Sequence, residues 1–248
     1  MTLTPTVLLD ARIYLESADM TGFSNKVEVT SSTVDLDRTT FASGGWNERT
    51  AGLFDSQVAI DGFWDVGDLT KPDDTLWANL GAAGTAITVV PTAGTVGSLC
   101  YLGKTLETDY KPGGKVGDLL AWSATLKGNT AIARGQILHP QGTARTSTGN
   151  GTGVQLGAVL VSQRLYANLH VLSVSGTTPS ITVAIQSNVD NTFGSPTTRL
   201  TFGADTALDG QALSVLGPIT DTWWRATWTI SGTTPSFLFA VSAGIAPK

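Results

Sequence analysis

The chain has 248 residues, 15 basic against 20 acidic side chains for a net charge of −5, and a single cysteine, Cys100. That length accommodates one large all-β domain or two of about 100–150 residues each, and the lack of clustered Lys/Arg excludes nucleic-acid binding by phosphate neutralisation. With 28 glycines and only 14% charged residues, a Thr/Ser/Val-rich texture favours many short strands and turns over helices. Cys100 cannot form an internal disulfide, so a reducing compartment is the default, and in GSLCYLG it reads as a small buried hydrophobe. The opening MTLTPTVLLDARIYL has no basic segment followed by an apolar run and a cleavage site. No stretch approaches 18 uninterrupted apolar residues. Neither a signal peptide nor a membrane span is expected.

In chain order, residues 8–64 alternate repeatedly (ARIYLES, NKVEVTSSTVDLD, SQVAIDGFW), which predicts three or four strands, with a long Gly-containing loop over 38–52. KPDDTLWANLG predicts one short helix: Asp73 or Asp74 as N-cap, Leu76, Trp77 and Leu80 along it, Gly81 as its stop. TAITVVP, SLCYLGKTLETDYKP, DLLAWSATLKG and AIARGQIL return to strand texture up to about residue 140. The aperiodic QGTARTSTGNGTG then reads as a linker. This divides the chain into a β domain over 1–140, a Gly/Thr linker over 141–153 and an antiparallel β-sandwich over 154–248 with seven or eight strands. Within that sandwich SGTTPS occurs twice, at 175–180 and 231–236, flanked each time by alternating apolar residues, and each copy predicts a hairpin turn. In TWWRATWTI, Trp224, Ala226, Trp228 and Ile230 fall on the core face, Trp223 and Arg225 on the other.

Charge is uneven along the chain. Residues 10–74 hold 13 acids against 5 bases, residues 75–145 hold 3 against 6, and residues 146–248 hold four of each. No catalytic, cofactor or metal constellation emerges. With two histidines and one cysteine there is no usual zinc spacing, and G-x-S-x-G, H-E-x-x-H, EF-hand and phosphate-loop patterns are missing. GNGTG lacks the glycine register of a dinucleotide fingerprint. His170 is expected to be a hydrogen-bonded sheet histidine. Asp35 and Asp37 share a strand face about 7 Å apart, and they, like Glu107 and Asp109, read as carboxylates of a solvated acidic face.

The segment NKVEVTSSTVDLDRTTFASGGWNERTAGLFDSQVAIDGFWD, followed by a short helix and VGDLLAWSATLKGNTAIARGQIL, resembles tail tube (major tail) proteins of long-tailed bacteriophages over about residues 8–140. SGTTPS, VAIQSNVD and WWRATWTISGTTPSFLFAV resemble small β-sandwich modules that decorate phage virion proteins. The resemblance implies an all-β fold, an N-terminal two-sheet tail-tube-like sandwich or barrel with one short helix followed by a β-sandwich module. It implies a non-enzymatic structural virion protein without cofactor, assembled in the host cytoplasm into the virion tail. Its partners would be itself, in stacked homo-oligomeric rings of six, and other tail proteins, with no membrane. DNA would pass during ejection through a lumen that does not bind it specifically, because a like-charged wall suppresses phosphate contacts. On this reading Phe41, Trp46, Asn47, Glu48 and Arg49 form the ring-stacking loop, and Asp35 and Asp37 are lumen-facing candidates. Capsid decoration, or carbohydrate binding by an outward Trp223 with Arg225, are the alternative readings.

Overall fold

The structure is a computed structural model that describes residues 8–248; residues 1–7, part of the opening in which no signal peptide is expected, lie outside the described residues. The chain is all-β with one short helix. Its strands are β1 (Arg12–Leu15), β2 (Ala18–Asp19), β3 (Ser24–Asp37) and β4 (Arg49–Phe63), then β5 (Ala83–Val90), β6 (Leu99–Gly113), β7 (Ala121–Gly128) and β8 (Ala133–His139) after helix α1 (Pro72–Asn79). The second half contributes β9 (Gly149–Asn150), β10 (Val154–Gln155), β11 (Gln163–Asn188), β12 (Thr197–Thr201), β13 (Asp209–Leu216) and β14 (Trp223–Pro247). One sheet path runs β12-β11-β14-β8-β6-β5-β1-β2, and the β3–β4 hairpin joins it through β7, which pairs with both β4 and β6.

The two SGTTPS copies are not hairpins, which is the main departure from the sequence expectation. Each lies inside a single long strand, the 26-residue β11 and the 25-residue β14, and the copies pair with each other: Ser175 opposite Ser236, Thr177 opposite Thr233, Ser180 opposite Ser231. First position meets sixth and third meets third, so the peptide is repeated about a local two-fold axis. A flat strand of 26 residues would span about 85 Å, far more than one domain can bury. The ribbon therefore folds over at this point, and Leu165, Leu169 and Val171 from before the bend share one core with Ile181, Val183, Trp224, Phe237 and Phe239 from around it. Both strands turn by the same device: Gly176 at φ 118° and Gly232 at φ 120°, with Thr178 and Thr234 both at φ 48°. The seven or eight strands expected over 154–248 become five because the turn peptide bends two strands without ending them.

A second core lies beneath β1, β4, β5 and β7 and includes Leu15, Met20, Ile60, Ile87, Trp122 and Leu126; a third, with Tyr14, Cys100, Leu102, Tyr166 and Ala240, draws on both halves of the chain. Cys100 is fully buried, and burial pushes its thiol pKa upward. The stretch 141–153 runs beside β14. Arg145 exchanges backbone hydrogen bonds with Phe237, the Thr148 hydroxyl accepts from the Ile230 N–H, and Trp228 Nε1 donates to the Ser147 carbonyl. Arg145 also donates to Nε2 of His139, whose ring stacks on Phe239 at 4.3 Å.

Helix α1 begins two or three residues earlier than expected. Pro72 occupies its first turn, as fits a residue with no N–H to satisfy, Lys71 is the N-cap residue, and Asp73 and Asp74 sit in the first turn where the helix dipole favours them. Leu76 is fully buried, whereas Trp77 and Leu80 point to solvent.

The bend supplies a direct check. A Cβ on Gly176 would lie 2.7 Å from the Thr234 carbonyl oxygen, and on Gly232 2.8 Å from that of Thr178. Either glycine changed to alanine combines left-handed strain with a backbone clash, and each should cost about 2–4 kcal/mol. Gly45→Ala, at φ 88° with open space around it, should cost only about 1 kcal/mol. Thermal melts of the three variants read the difference, and equal melting temperatures would refute the account of the bend.

Candidate functional site

The hydrogen-bond ladder of β4 explains why one element stands apart. From Gln57 to Phe63, β4 is paired with β7 on one side and β3 on the other; from Arg49 to Ser56 its partner is β3 alone. The distal half of the hairpin is thus a two-stranded ribbon, and residues 30–37 of β3 are exposed on both faces. Such a ribbon is at best marginally stable in water, and yet it carries apolar side chains. Val34 and Leu36 cross over Gly52, where a Cβ would sit 3.1 Å from that of Val34, while Leu53 is 82% and Phe54 73% exposed. A register shift between Thr33 and Asp35 marks a bulge that increases the ribbon's twist.

Phe41 and Trp46 project from the tip that joins the strands, and both are exposed. The tip is compact: the Ser43 N–H donates to the Thr40 carbonyl, the Trp46 N–H donates to that of Ser43, and Gly44 and Gly45 supply consecutive left-handed residues at φ 61° and 88°. Asn47 is exposed. Arg38 pairs with Glu48 at 3.3 Å. The expected loop of 38–52 is shorter in the fold, because Arg49 to Gly52 belong to β4.

Asp35 and Asp37 both lie on this ribbon, opposite Ala51 and Arg49. The Arg49 guanidinium forms an ion pair with Asp35, so that carboxylate is not a free negative charge. Asp37 has no basic partner among the described residues; hydrogen bonds from the Thr39 hydroxyl and N–H hold its pKa below the usual carboxylate range. The ring-stacking and lumen-facing candidates are therefore neighbours on one projecting element. Trp223 and Arg225 lie elsewhere. Trp223 is half-buried between Gln155 and Asn188 in register, and Arg225 sits 4.3 Å over the Phe193 ring while its guanidinium donates to Gln186.

Sequence reasoning missed Val34, Leu36, Leu53 and Phe54 as surface residues. The signal was present in TVDLD beside AGLFDS: apolar and charged side chains alternate in one strand while two large apolar residues break the alternation in its partner, a pattern suited to neither a core strand nor a solvated one. Glu107 is the converse miss. Read as a solvated acid, it is fully buried, and neither carboxylate oxygen has a hydrogen-bond partner. Desolvation pushes its pKa up to about 8. Asp109, by contrast, is half-exposed and paired with Lys111.

No family model matches this chain, and no curated protein does. Among solved structures it is similar to a chain of the virion of a native gene transfer agent particle (15% identity, TM-score 0.42, covering 50% of this chain and 95% of that one). It is similar also to the SPP1 Dit (gp 19.1) protein (12% identity, TM-score 0.38, 95% and 99% covered) and to a chain of the anti-feeding prophage baseplate (11% identity, TM-score 0.39, 52% and 95% covered).

Glu107 gives a test of the electrostatics. A carboxyl that is neutral in the fold up to about pH 8 but ionises near 4.5 when unfolded removes stability progressively as pH rises between those values, and the loss is complete above about 8. Glu107→Leu should therefore be stabilising by about 2–4 kcal/mol at pH 8.5, with a much smaller effect at pH 4.5. Denaturant titrations at the two pH values measure this; a pH-independent difference would place the carboxylate in contact with water.

Proposed function

We propose that the chain is a structural subunit of a phage tail and, more specifically, a tail tube subunit that closes into homo-oligomeric rings, six per ring, stacked around a channel for DNA. The observation that carries the reading is the projecting β3–β4 ribbon. It exposes Val34, Leu36, Leu53, Phe54, Phe41 and Trp46 on an element whose own partner strand gives it little stability. Exposed apolar surface of this kind, on a hairpin with both faces free, is suited to burial against other subunits. The sequence resemblance over residues 8–140 points the same way.

In this reading the tip contacts the adjacent ring through Phe41 and Trp46, with the Arg38–Glu48 pair and Arg49 on its flank. Asp35 and Asp37 turn toward the lumen, where Asp37 keeps a full negative charge and Asp35 has its charge offset by Arg49. A tip that differs from the surface it docks on makes a heterologous contact, which propagates along an axis and does not close. Residues 154–248 would decorate the outside, with 141–153 as the connection between the two units.

Electron microscopy of the concentrated full chain should show rings or stacked tubes. Phe41→Ala with Trp46→Ala removes side chains that touch little within the subunit, so the melting temperature should hold to within about 1–2 °C while stacking is lost. Long tubes from the double variant would assign stacking to another surface. A wild-type protein that stays monomeric at high concentration would overturn the ring itself.

A further inference from the structure

Where the N-terminal and C-terminal halves meet, three carboxylates converge from separate segments. Glu16 occupies the turn between β1 and β2 at φ 50°, Asp205 lies in the loop between β12 and β13, and Asp209 begins β13. The turn is fastened on several sides. The Glu16 N–H donates to the Ala86 carbonyl at 2.9 Å, its Oε1 accepts from the Ala86 N–H at 2.5 Å, and its carbonyl faces Nδ1 of the buried His170 at 2.8 Å. Gly210 sits directly against Glu16; a Cβ there would fall on the Cα and carboxylate of Glu16. Beside this contact is a cavity of about 180 Å³ lined by Glu16, Ser17, Asn79 and Asp209, among others.

Asp205 is the most constrained of the three. Its backbone exchanges hydrogen bonds with Ile181, and its Oδ1 accepts from Gln211 at 2.6 Å, but its buried Oδ2 finds no donor. Its partner Gln211 lies on β13 two residues beyond Asp209, an acid that adds to burial in pushing the Asp205 pKa up. A buried carboxyl with one oxygen unpartnered and a second acid nearby is held more readily in its protonated form.

We propose that this seam is a proton-operated latch, closed while Glu16 and Asp205 hold their protons beside the Asp209 side chain and loosened when both give them up. Burial, joined by the Asp209 charge, pushes Glu16 up to about 7, and burial with the Asp209 carboxyl pushes Asp205 up to about 7. The Ala86 N–H opposes this shift, and the Lys104 charge opposes it too. His170 brings no compensating cation, since burial drives its pKa down to about 4; Asp19, which acts on it, is a further negative group. The stability that Glu16 and Asp205 withhold accumulates as pH rises from the ordinary carboxylate range near 4 to about 7, and above 7 the folded seam itself carries the charges. Repulsion then falls on the exposed segment around Asp209, which has the fewest restraints, and the loop carrying Asp205 follows it.

Amide hydrogen exchange of the full chain, expressed as protection factors at pH 5.5 and 8.5, tests the latch. Protection of the Glu16, Ile181 and Asp205 amides should fall by about ten-fold or more between the two, while in the Glu107→Leu background, where the buried acid of β6 is gone, amides of the β6–β7 ladder change by less than about three-fold. Asp209→Asn, at an exposed position, and Asp205→Asn should each reduce the fall at the seam below about three-fold. Glu107→Leu, a change in the other core, should leave it intact. Constant protection in the wild type, a full fall in both Asn variants, or its disappearance in Glu107→Leu would each overturn the proposal.

Discussion

The antiparallel pairing of β11 with β14 is the constraint on which the rest of the molecule depends. It runs from Gln163 opposite Pro247 to Asn188 opposite Trp223, and it folds over once at the paired SGTTPS peptides. Every element of the second half attaches to this ribbon: β12 and β13 along β11, β9 and β10 along β14. The first half attaches too, through β8 on β14. A sheet that continues from one half to the other buries its joint, and the polar groups in that joint must find partners or cost free energy.

Those partners are present at the centre of the joint. His170 Nε2 accepts from the Thr88 hydroxyl at 2.8 Å, Ser242 lies 3.0 Å from the same hydroxyl, and the Asn168 amide donates to the carbonyls of Ile87 and Gly103. With Nδ1 facing the Glu16 carbonyl and Nε2 the hydroxyl, the imidazole is satisfied as the neutral form. The histidine thus fixes alignment between β5 and the ribbon without introducing a charge. The carboxyls nearby are only partly satisfied, with Asp205 Oδ2 buried and without a donor, and this contrast separates the rigid part of the joint from the part that responds to protons.

Much of the fold is legible in the sequence where one physical rule acts alone. Period-two alternation marks the strands in RIYL and SQVAIDGF, and the faces of WWRATWTI follow from it, with Trp224 and Ala226 fully buried. Failures come where two rules compete. Gly, Thr and Pro between apolar runs are the composition of a hairpin, but the same residues bend a strand when a second copy lies opposite to complete the pairing; nothing local distinguishes the two. Glu107 was misread because carboxylates rarely enter a core unpaired. In the candidate site, Phe41 and Trp46 stand out as aromatics in a polar loop, whereas Val34, Leu36, Leu53 and Phe54 look like core until the ladder shows that β7 stops at Gln57.

The folded-over ribbon also bears on how the protein is made. β11 is complete at Asn188, but the residues that pair with it along its whole length begin only at Trp223. During synthesis, at about 5–20 residues per second, that strand waits for seconds with one long edge open and its apolar face uncovered, since the intervening β12 and β13 cover only parts of its other edge. Pairing across so wide a sequence separation is slow to begin, because loop closure precedes any gain from contact. The longest ladder of the finished molecule is thus completed late, and the nascent chain is most exposed to aggregation just before β14 emerges.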